Sequence, residues 1–129
     1  MIKAVKGKVS AKHLSEIPFF NFVKLKIKEL SGGNQIPGVS IAHVSLPPNY
    51  EHVPIFHAKT HEWMFILRGT GKGVVGGKLI RFRPGVMLYM APGVLHQMST
   101  GNSSLAVLVL FSPPLHVNRK GADICYPAQ

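Results

Sequence analysis

Two histidines and one glutamate, His57, Glu62 and His96, have the residue types and spacing of a metal-binding set. Glu62 stands at the start of the apolar run at residues 63–67, where an ionised carboxylate without a partner would cost several kcal/mol. The carboxylate must therefore be neutralised, hydrogen-bonded or bound to a cation. Two imidazoles and one carboxylate suit Fe(II), Mn, Ni or Zn. We interpret the three residues as a candidate metal site.

The alternation of side chains along β-strands indicates how this set could be assembled. Ile55 and His57 are two residues apart and leave the same face of a strand, as Glu62 and Met64 do on the next strand. If both faces line the interior of a barrel, His57 and Glu62 point into the same space. His96 follows a glycine turn, and we expect it to enter from the opposite sheet.

His61 and Tyr89 are secondary candidates for acid–base chemistry. His61 directly precedes Glu62, so a regular strand directs it to the opposite face, which we expect to be the surface. Walker loops, nucleophile elbows and CxxC pairs are not found, and the lone Cys125 lies near the C-terminus. The remaining histidines lie in no comparable context; they are His13, His43, His52 and His116.

Short predicted strands separated by turns run through most of the chain. Glycine or proline turn signals recur about every 8–12 residues, and no segment keeps a helical period over three turns. Gly76 and Gly77 predict a two-residue hairpin turn. Strands are predicted near residues 22–30, 39–46, 50–57, 62–67, 79–82, 86–90 and 105–111, with a further short strand from His96. This pattern predicts an all-β sandwich or small barrel.

Length and composition indicate one globular domain. A chain of 129 residues with 46% hydrophobic residues can bury a single core. No apolar run approaches the ~20 residues that a membrane span needs, and the N-terminus lacks the pattern of a signal peptide. The lone cysteine cannot form an internal disulfide and indicates little more. A reducing, cytoplasmic location is the default expectation.

The net charge of +10 favours anionic partners in general. Lys24, Lys26 and Lys28 nevertheless alternate along one predicted strand, which is typical of the solvent face of a sheet. Binding of nucleic acid is therefore disfavoured. A small anionic ligand is the partner that we expect.

The sequence around Glu62 resembles the first motif of the cupin superfamily, written G(X)5HXH(X)3–4E(X)6G. His57, Glu62 and Gly69 match its second half, with His57 in the place of the second histidine. Ile55 occupies the place of the first histidine. By this resemblance, one of the usual ligands is missing.

The sequence before His96 resembles the second cupin motif, G(X)5PXG(X)2H(X)3N. Gly85, Gly93 and His96 stand at the expected spacings, whereas Ala91 replaces the proline and Thr100 the asparagine. Neither replaced residue is a ligand in the motif. The 15 residues between the two motifs resemble the spacer of small microbial cupins.

The resemblance covers about residues 38–112 and implies a double-stranded β-helix, or jelly-roll, barrel. We expect a single cupin domain over residues 1–129, with an N-terminal arm at 1–20 and a C-terminal tail at 113–129. The resemblance also implies a homodimer, and a divalent Fe, Mn, Ni or Zn ion inside the barrel on His57, Glu62 and His96.

Two functional hypotheses follow, and they leave open whether the protein is an enzyme. The first is a small metal-binding cupin that acts on or binds a small, anionic molecule inside the barrel. The second is a non-enzymatic ligand-binding or regulatory cupin whose metal site has decayed and holds no metal. Ile55 is the main support for the second hypothesis.

Overall fold

In the computed structural model, which describes residues 2–128, nine strands follow a short 3-10 helix at Leu14–Glu16. The strands are β1 (Phe20–Phe22), β2 (Leu25–Ser31), β3 (Ser40–Leu46), β4 (His61–Arg68), β5 (Gly71–Val75), β6 (Lys78–Phe82), β7 (Met87–Met90), β8 (His96–Thr100) and β9 (Leu105–Ser112). Across the described residues, no helix has the length and hydropathy that crossing a membrane would require. The all-β prediction is confirmed.

Two antiparallel sheets face each other across the core. The larger sheet has the strand order β1-β2-β3-β9-β4-β7, and the smaller has the order β6-β5-β8. Strand β9 lies at the centre of the larger sheet, where it pairs with β3 on one side and with β4 on the other. Strand β9 is thus distant in sequence from β3 and β4, as β7 is from β4 and β8 from β5, and the chain crosses repeatedly between the sheets. This is the expected jelly-roll.

Period-2 alternation determines which side chains fill the space between the sheets. Along β4, Glu62, Met64 and Ile66 are buried, whereas His61 lies on the outer face and is exposed. Along β9, Leu105 and Val107 are fully buried. Full burial of side chains of this size contributes about 1.5–3 kcal/mol each relative to exposure. The same alternation that builds the core therefore also turns Glu62 inward.

Glycines allow two of the tight connections. Gly76 and Gly77 join β5 to β6 with φ angles of +55° and +80°, the backbone of the predicted two-residue hairpin turn. Gly69 ends β4 with φ +87°, and a Cβ atom there would collide with the carbonyl oxygen of Ser104. Only glycine adopts this conformation at so close an approach without strain.

Two segments differ from the strand predictions. Val23, predicted inside a strand, has φ +51° and lies exposed in the turn between β1 and β2. Residues 50–57 form isolated bridges rather than a continuous strand, among them one that pairs Ile55 with His96. Proline interrupts this segment at Pro54, and proline cannot donate the backbone hydrogen bond that a strand needs.

Described residues of the predicted C-terminal tail pack against the barrel. Leu115 is buried, and its N–H and carbonyl both hydrogen-bond to the hydroxyl of Ser40. Further on, Phe56 and Cys125 exchange backbone hydrogen bonds of 2.9 and 2.8 Å. These contacts bring the C-terminal segment next to His57.

Candidate metal centre

The structure brings His57, Glu62 and His96 together in the interior. His57 lies just before β4, Glu62 is the second residue of β4, and His96 is the first residue of β8 in the opposite sheet. One potential ligand atom from each residue lies within 4.8 Å of the others. The three residues are 5%, 7% and 7% exposed. The sequence-predicted set therefore forms one buried cluster.

Backbone carbonyls orient both imidazole rings. The Nδ1–H of His57 donates to the carbonyl oxygen of Asp123 at 2.6 Å, and that of His96 donates to Val94 at 3.1 Å. The Nε2 atoms then face the same carboxylate oxygen of Glu62, at 3.0 Å from His57 and 3.7 Å from His96. Metal-binding histidines are held in this way, with the second nitrogen donating to a carbonyl or carboxylate.

This arrangement points three lone pairs at one small volume. With a proton on each Nδ1, the Nε2 atoms of His57 and His96 are acceptors, as is the Glu62 carboxylate. Acceptors repel one another unless a proton or a metal ion lies between them. A divalent cation would satisfy all three at once, so the donor set fits the metal that the sequence predicts.

The pKa of His57 reflects the same need for positive charge. Burial alone lowers the pKa of this imidazole, but the hydrogen bond and charge of Glu62 and the carbonyl of Asp123 outweigh burial and raise it. The cluster thus favours a positively charged species beside Glu62.

Asp123 is a structural residue of the site that the sequence did not indicate. Its carboxylate accepts hydrogen bonds of 2.8 Å from the N–H groups of Ala58 and Lys59 and from the hydroxyl of Thr60. Its own carbonyl accepts from His57. One C-terminal residue thereby fixes the loop between His57 and β4. No local sequence signal links position 123 to positions 57–60.

His52, set aside in the sequence analysis, lies in the interior near the cluster. It is 6% exposed, and its Nδ1 atom has no hydrogen-bond partner. Burial, followed by the neighbouring His96, lowers its pKa, so the ring is neutral near pH 7. Together with the three cluster residues, it lines a cavity of about 80 Å³ between the sheets.

Ile55 lies where the resemblance places a further histidine. It is buried, lines the same cavity as His57, and exchanges backbone hydrogen bonds of 3.0 and 2.9 Å with His96. Position 55 therefore faces the cluster, as the alternation predicted, but it contributes only an apolar side chain.

The secondary candidates are not part of this site. The Nδ1 atom of His61 lies 2.7 Å from the hydroxyl of Tyr89, and the two rings stack on the outer face of the larger sheet. Both residues are exposed, and neither lines the cavity. His61 is thus a surface residue, as expected, and the pair lies outside the cavity that the cluster lines.

Comparisons with known proteins agree with this architecture. The family model described as "Cupin domain" matches residues 42–111, more than half of the chain. Curated proteins include none with significant sequence similarity.

Solved structures give strong matches of shape at low identity. A predicted oxalate decarboxylase from Thermotoga maritima has a TM-score of 0.73 and 21% identity, with 81% of this chain and 99% of that chain covered. Ectoine synthase from P. lautus has a TM-score of 0.72 and 22% identity, covering 83% and 80%. A polyketide cyclase from Streptomyces resistomycificus has a TM-score of 0.72 and 17% identity, covering 90% and 89%. At these identities the likeness shows the fold alone.

Proposed function

The chain belongs to the cupin domain family, and from that premise we propose that it is a small metal-binding cupin that acts on or binds a small molecule inside the barrel. His57, Glu62 and His96 would hold a divalent Fe, Mn, Ni or Zn ion. The observation that carries the proposal is the orientation of both imidazoles, whose Nε2 atoms face one oxygen of Glu62 while their Nδ1–H groups donate to carbonyls.

Each element around the site has a definite task in this proposal. When bound, such an ion supplies Lewis-acid chemistry with coordination positions open to a ligand. Asp123 keeps His57 in place, and the apolar walls of the cavity exclude water from the bound molecule. The similar structures carry three different activities in their descriptions, so they select no reaction for this chain.

Elemental analysis tests the metal site directly. The protein would be purified without a metal-affinity tag, and metal per chain would be measured for wild type, Glu62→Gln and His96→Ala. We expect near-stoichiometric metal in the wild type and a large loss in both variants, because each removes one of three donors. His61→Ala, next to Glu62 but on the outer face, is the matched control and should keep its metal. Full occupancy in Glu62→Gln would contradict the assignment.

The second candidate function is a ligand-binding cupin without metal. Ile55 favours it, since this buried side chain faces the cluster from the place of a missing ligand. Under this hypothesis, wild-type protein contains no metal even after incubation with Zn²⁺, Ni²⁺ or Mn²⁺ and removal of the excess. The same elemental analysis therefore separates the two candidates.

We also propose that the chain forms a homodimer through the outer face of β4 and β7. Trp63 pairs directly with Tyr89 and Phe65 with Met87, and the two β7 side chains are 57% and 64% exposed. Neighbouring exposed apolar side chains mark interaction sites. Because these four side chains carry no charge, a second copy can pack on them about a twofold axis without bringing lysines together.

Light scattering coupled to gel filtration tests the dimer. We expect twice the chain mass of 14.1 kDa for the wild type and the monomer mass for Met87→Lys. Leu79→Lys, an equally exposed apolar position on the smaller sheet, should remain dimeric. A monomeric wild type would refute the proposal.

The proposal also includes a single domain over residues 1–129 and a cytoplasmic location. The free thiol of Cys125 supports the location.

A further inference from the structure

The cavity beside the cluster extends across the larger sheet from β4 to β2. Glu62 and Met64 line it from β4, and the register then runs through Val109 of β9 and Ala42 of β3 to Glu29 of β2. At a strand spacing of about 4.8 Å, the distance from β4 to β2 is roughly 14 Å. The cavity is therefore elongated, with the cluster towards its β4 side.

Polar groups are concentrated at the cluster. His52, His57, Glu62 and His96 line the cavity there. Between the cluster and β2 the walls are mainly apolar, formed by residues such as Phe22, Ile27, Val44, Met64, Val109 and Phe111. In this apolar part, the hydroxyl of Ser40 already hydrogen-bonds to the N–H and the carbonyl of Leu115. A ligand would thus find hydrogen-bonding groups mainly at one end.

The positive charge of the chain does not reach this space. Within residues 2–128, none of the lysines or arginines lines the cavity. At the β2 side the ionisable groups are Glu29 and His116, which pair with each other at 2.6 Å, and the Glu29 side chain is 43% exposed. An anionic group placed away from the cluster would find no lysine or arginine, and the one imidazole there, His116, already pairs with Glu29, so burying such a group would be costly. The net charge of +10 therefore gives no support to an anionic body for the ligand.

His52 offers a hydrogen bond to whatever lies at the cluster end. A buried polar atom without a partner costs about 1–3 kcal/mol, and such atoms are uncommon in native proteins. The Nδ1 atom of His52 is one of them. Because His52 lines the cavity close to His96, a ligand group at the cluster can supply the missing partner.

We infer that the cavity takes a small molecule with one polar head group at His52, His57, Glu62 and His96 and an uncharged, apolar body that extends towards β2. Binding of the head group by a metal rests on the proposed function. The apolar nature of the body does not rest on it. It disfavours dicarboxylates, phosphorylated compounds and sugars, whose polar groups would meet apolar walls. The volume of about 80 Å³ limits the ligand to a small molecule with a short apolar body.

Two isosteric pairs of probes test the nature of the body. Butanoate and 3-hydroxypropanoate share a carboxylate head and differ by a methyl or hydroxyl group at the far end; they would be titrated into Zn²⁺-loaded protein. Butan-1-ol and propane-1,3-diol differ in the same way and would be titrated into metal-free protein in chelator. We expect the methyl-ended member of each pair to bind at least about tenfold more tightly, because the hydroxyl would be buried without a partner.

NMR signals of the methionine methyl groups report where the probes bind. Met64 and Met98 line the cavity and should shift on titration, whereas the exposed Met87 should not. His52→Phe should weaken butanoate binding by about threefold or more, through loss of one hydrogen bond, with the zinc content unchanged.

The outcomes separate this inference from the metal proposal. If the protein contains no metal as purified or after incubation with Zn²⁺, Ni²⁺ or Mn²⁺, but prefers butan-1-ol in chelator, the metal proposal fails and the inference stands. Equal affinities within a pair, a preference for the hydroxyl-ended probe, or no shift of Met64 and Met98 with butan-1-ol would overturn the inference, whatever the metal content. Unchanged butanoate affinity in His52→Phe would overturn the role of His52.

Discussion

Replacing Asp123 with asparagine tests whether the C-terminal segment is part of the site. The carboxylate accepts three hydrogen bonds of 2.8 Å, from Ala58, Lys59 and Thr60. Hydrogen bonds to charged groups contribute about 1.5–3 kcal/mol each, and water replaces part of this at a partly exposed site. Asparagine keeps one acceptor oxygen and turns an NH₂ group towards the other donors. We therefore expect Asp123→Asn to lower the free energy of unfolding by about 2 kcal/mol.

The pH dependence of that difference has a definite sign. Burial alone would raise the pKa of Asp123, but the hydrogen bonds from Lys59, Thr60 and Ala58 and the charge of His57 lower it below the ordinary value of 3.8. A carboxyl with a lowered folded-state pKa stabilises the fold above its unfolded pKa, and this stability is lost as the pH falls through the folded pKa. The difference between wild type and Asp123→Asn should thus be full at pH 7 and shrink below about pH 3.8.

Urea unfolding in chelator, followed by the fluorescence of the single tryptophan, Trp63, measures this difference without a contribution from metal. Glu51→Gln is the matched control, because its exposed carboxylate accepts one hydrogen bond from Gln97. We expect the control to lie within about 0.5 kcal/mol of wild type. Equal unfolding free energies for Asp123→Asn and wild type at pH 7 would refute the role assigned to Asp123.

Three further substitutions have definite expected outcomes. Ile55→His should lower the melting temperature in chelator, since about 1–3 kcal/mol of apolar burial is lost. Excess Ni²⁺ should raise the melting temperature of this variant more than that of wild type, because the new imidazole adds a ligand; equal or absent metal effects in both would leave the hypothesis of a decayed site standing. Gly69→Ala should lower the free energy of unfolding in urea by more than about 1 kcal/mol. Gly77→Ala, which shares the positive φ but has open space around it, should lower that free energy by less. Ser40→Ala should cost about 1–3 kcal/mol, because the buried N–H of Leu115 loses its acceptor, and increased hydrogen exchange at Leu115 would show it.

The alternation of side chains made much of the site predictable. Period-2 geometry required Ile55 and His57 to share one face and Glu62 to point away from His61, and the structure has both features. The hairpin turn at Gly76 was equally predictable from the sequence, because a two-residue turn with positive φ angles needs glycine. These properties depend only on the backbone within a few residues.

Other expectations failed because they depend on contacts that no local pattern contains. Val23 continued an alternating pattern, yet the short strand β1 pairs back onto β2 and places Val23 in the turn between them. His52 had no neighbours in sequence to suggest a role, but residues 51–55 lie beside β8 and turn its ring inward. The expectation of an anionic ligand stays a prediction, and it draws no support from the lysines of β2, which alternate away from the cavity.

The sequence by itself determined the fold class, the inward direction of Glu62 and the residues able to neutralise it. An isolated carboxylate in an apolar strand demands a partner, and two histidines at the right spacings were the candidates. Only the tertiary structure decided the geometry of the contacts between Glu62 and the two histidines. The crossing of the chain between the sheets places His96 opposite Glu62, and the return of the C-terminal segment places Asp123 against His57. Both contacts join residues more than 30 positions apart, so their geometry depends on the order of the strands and the path of the loops rather than on local preference.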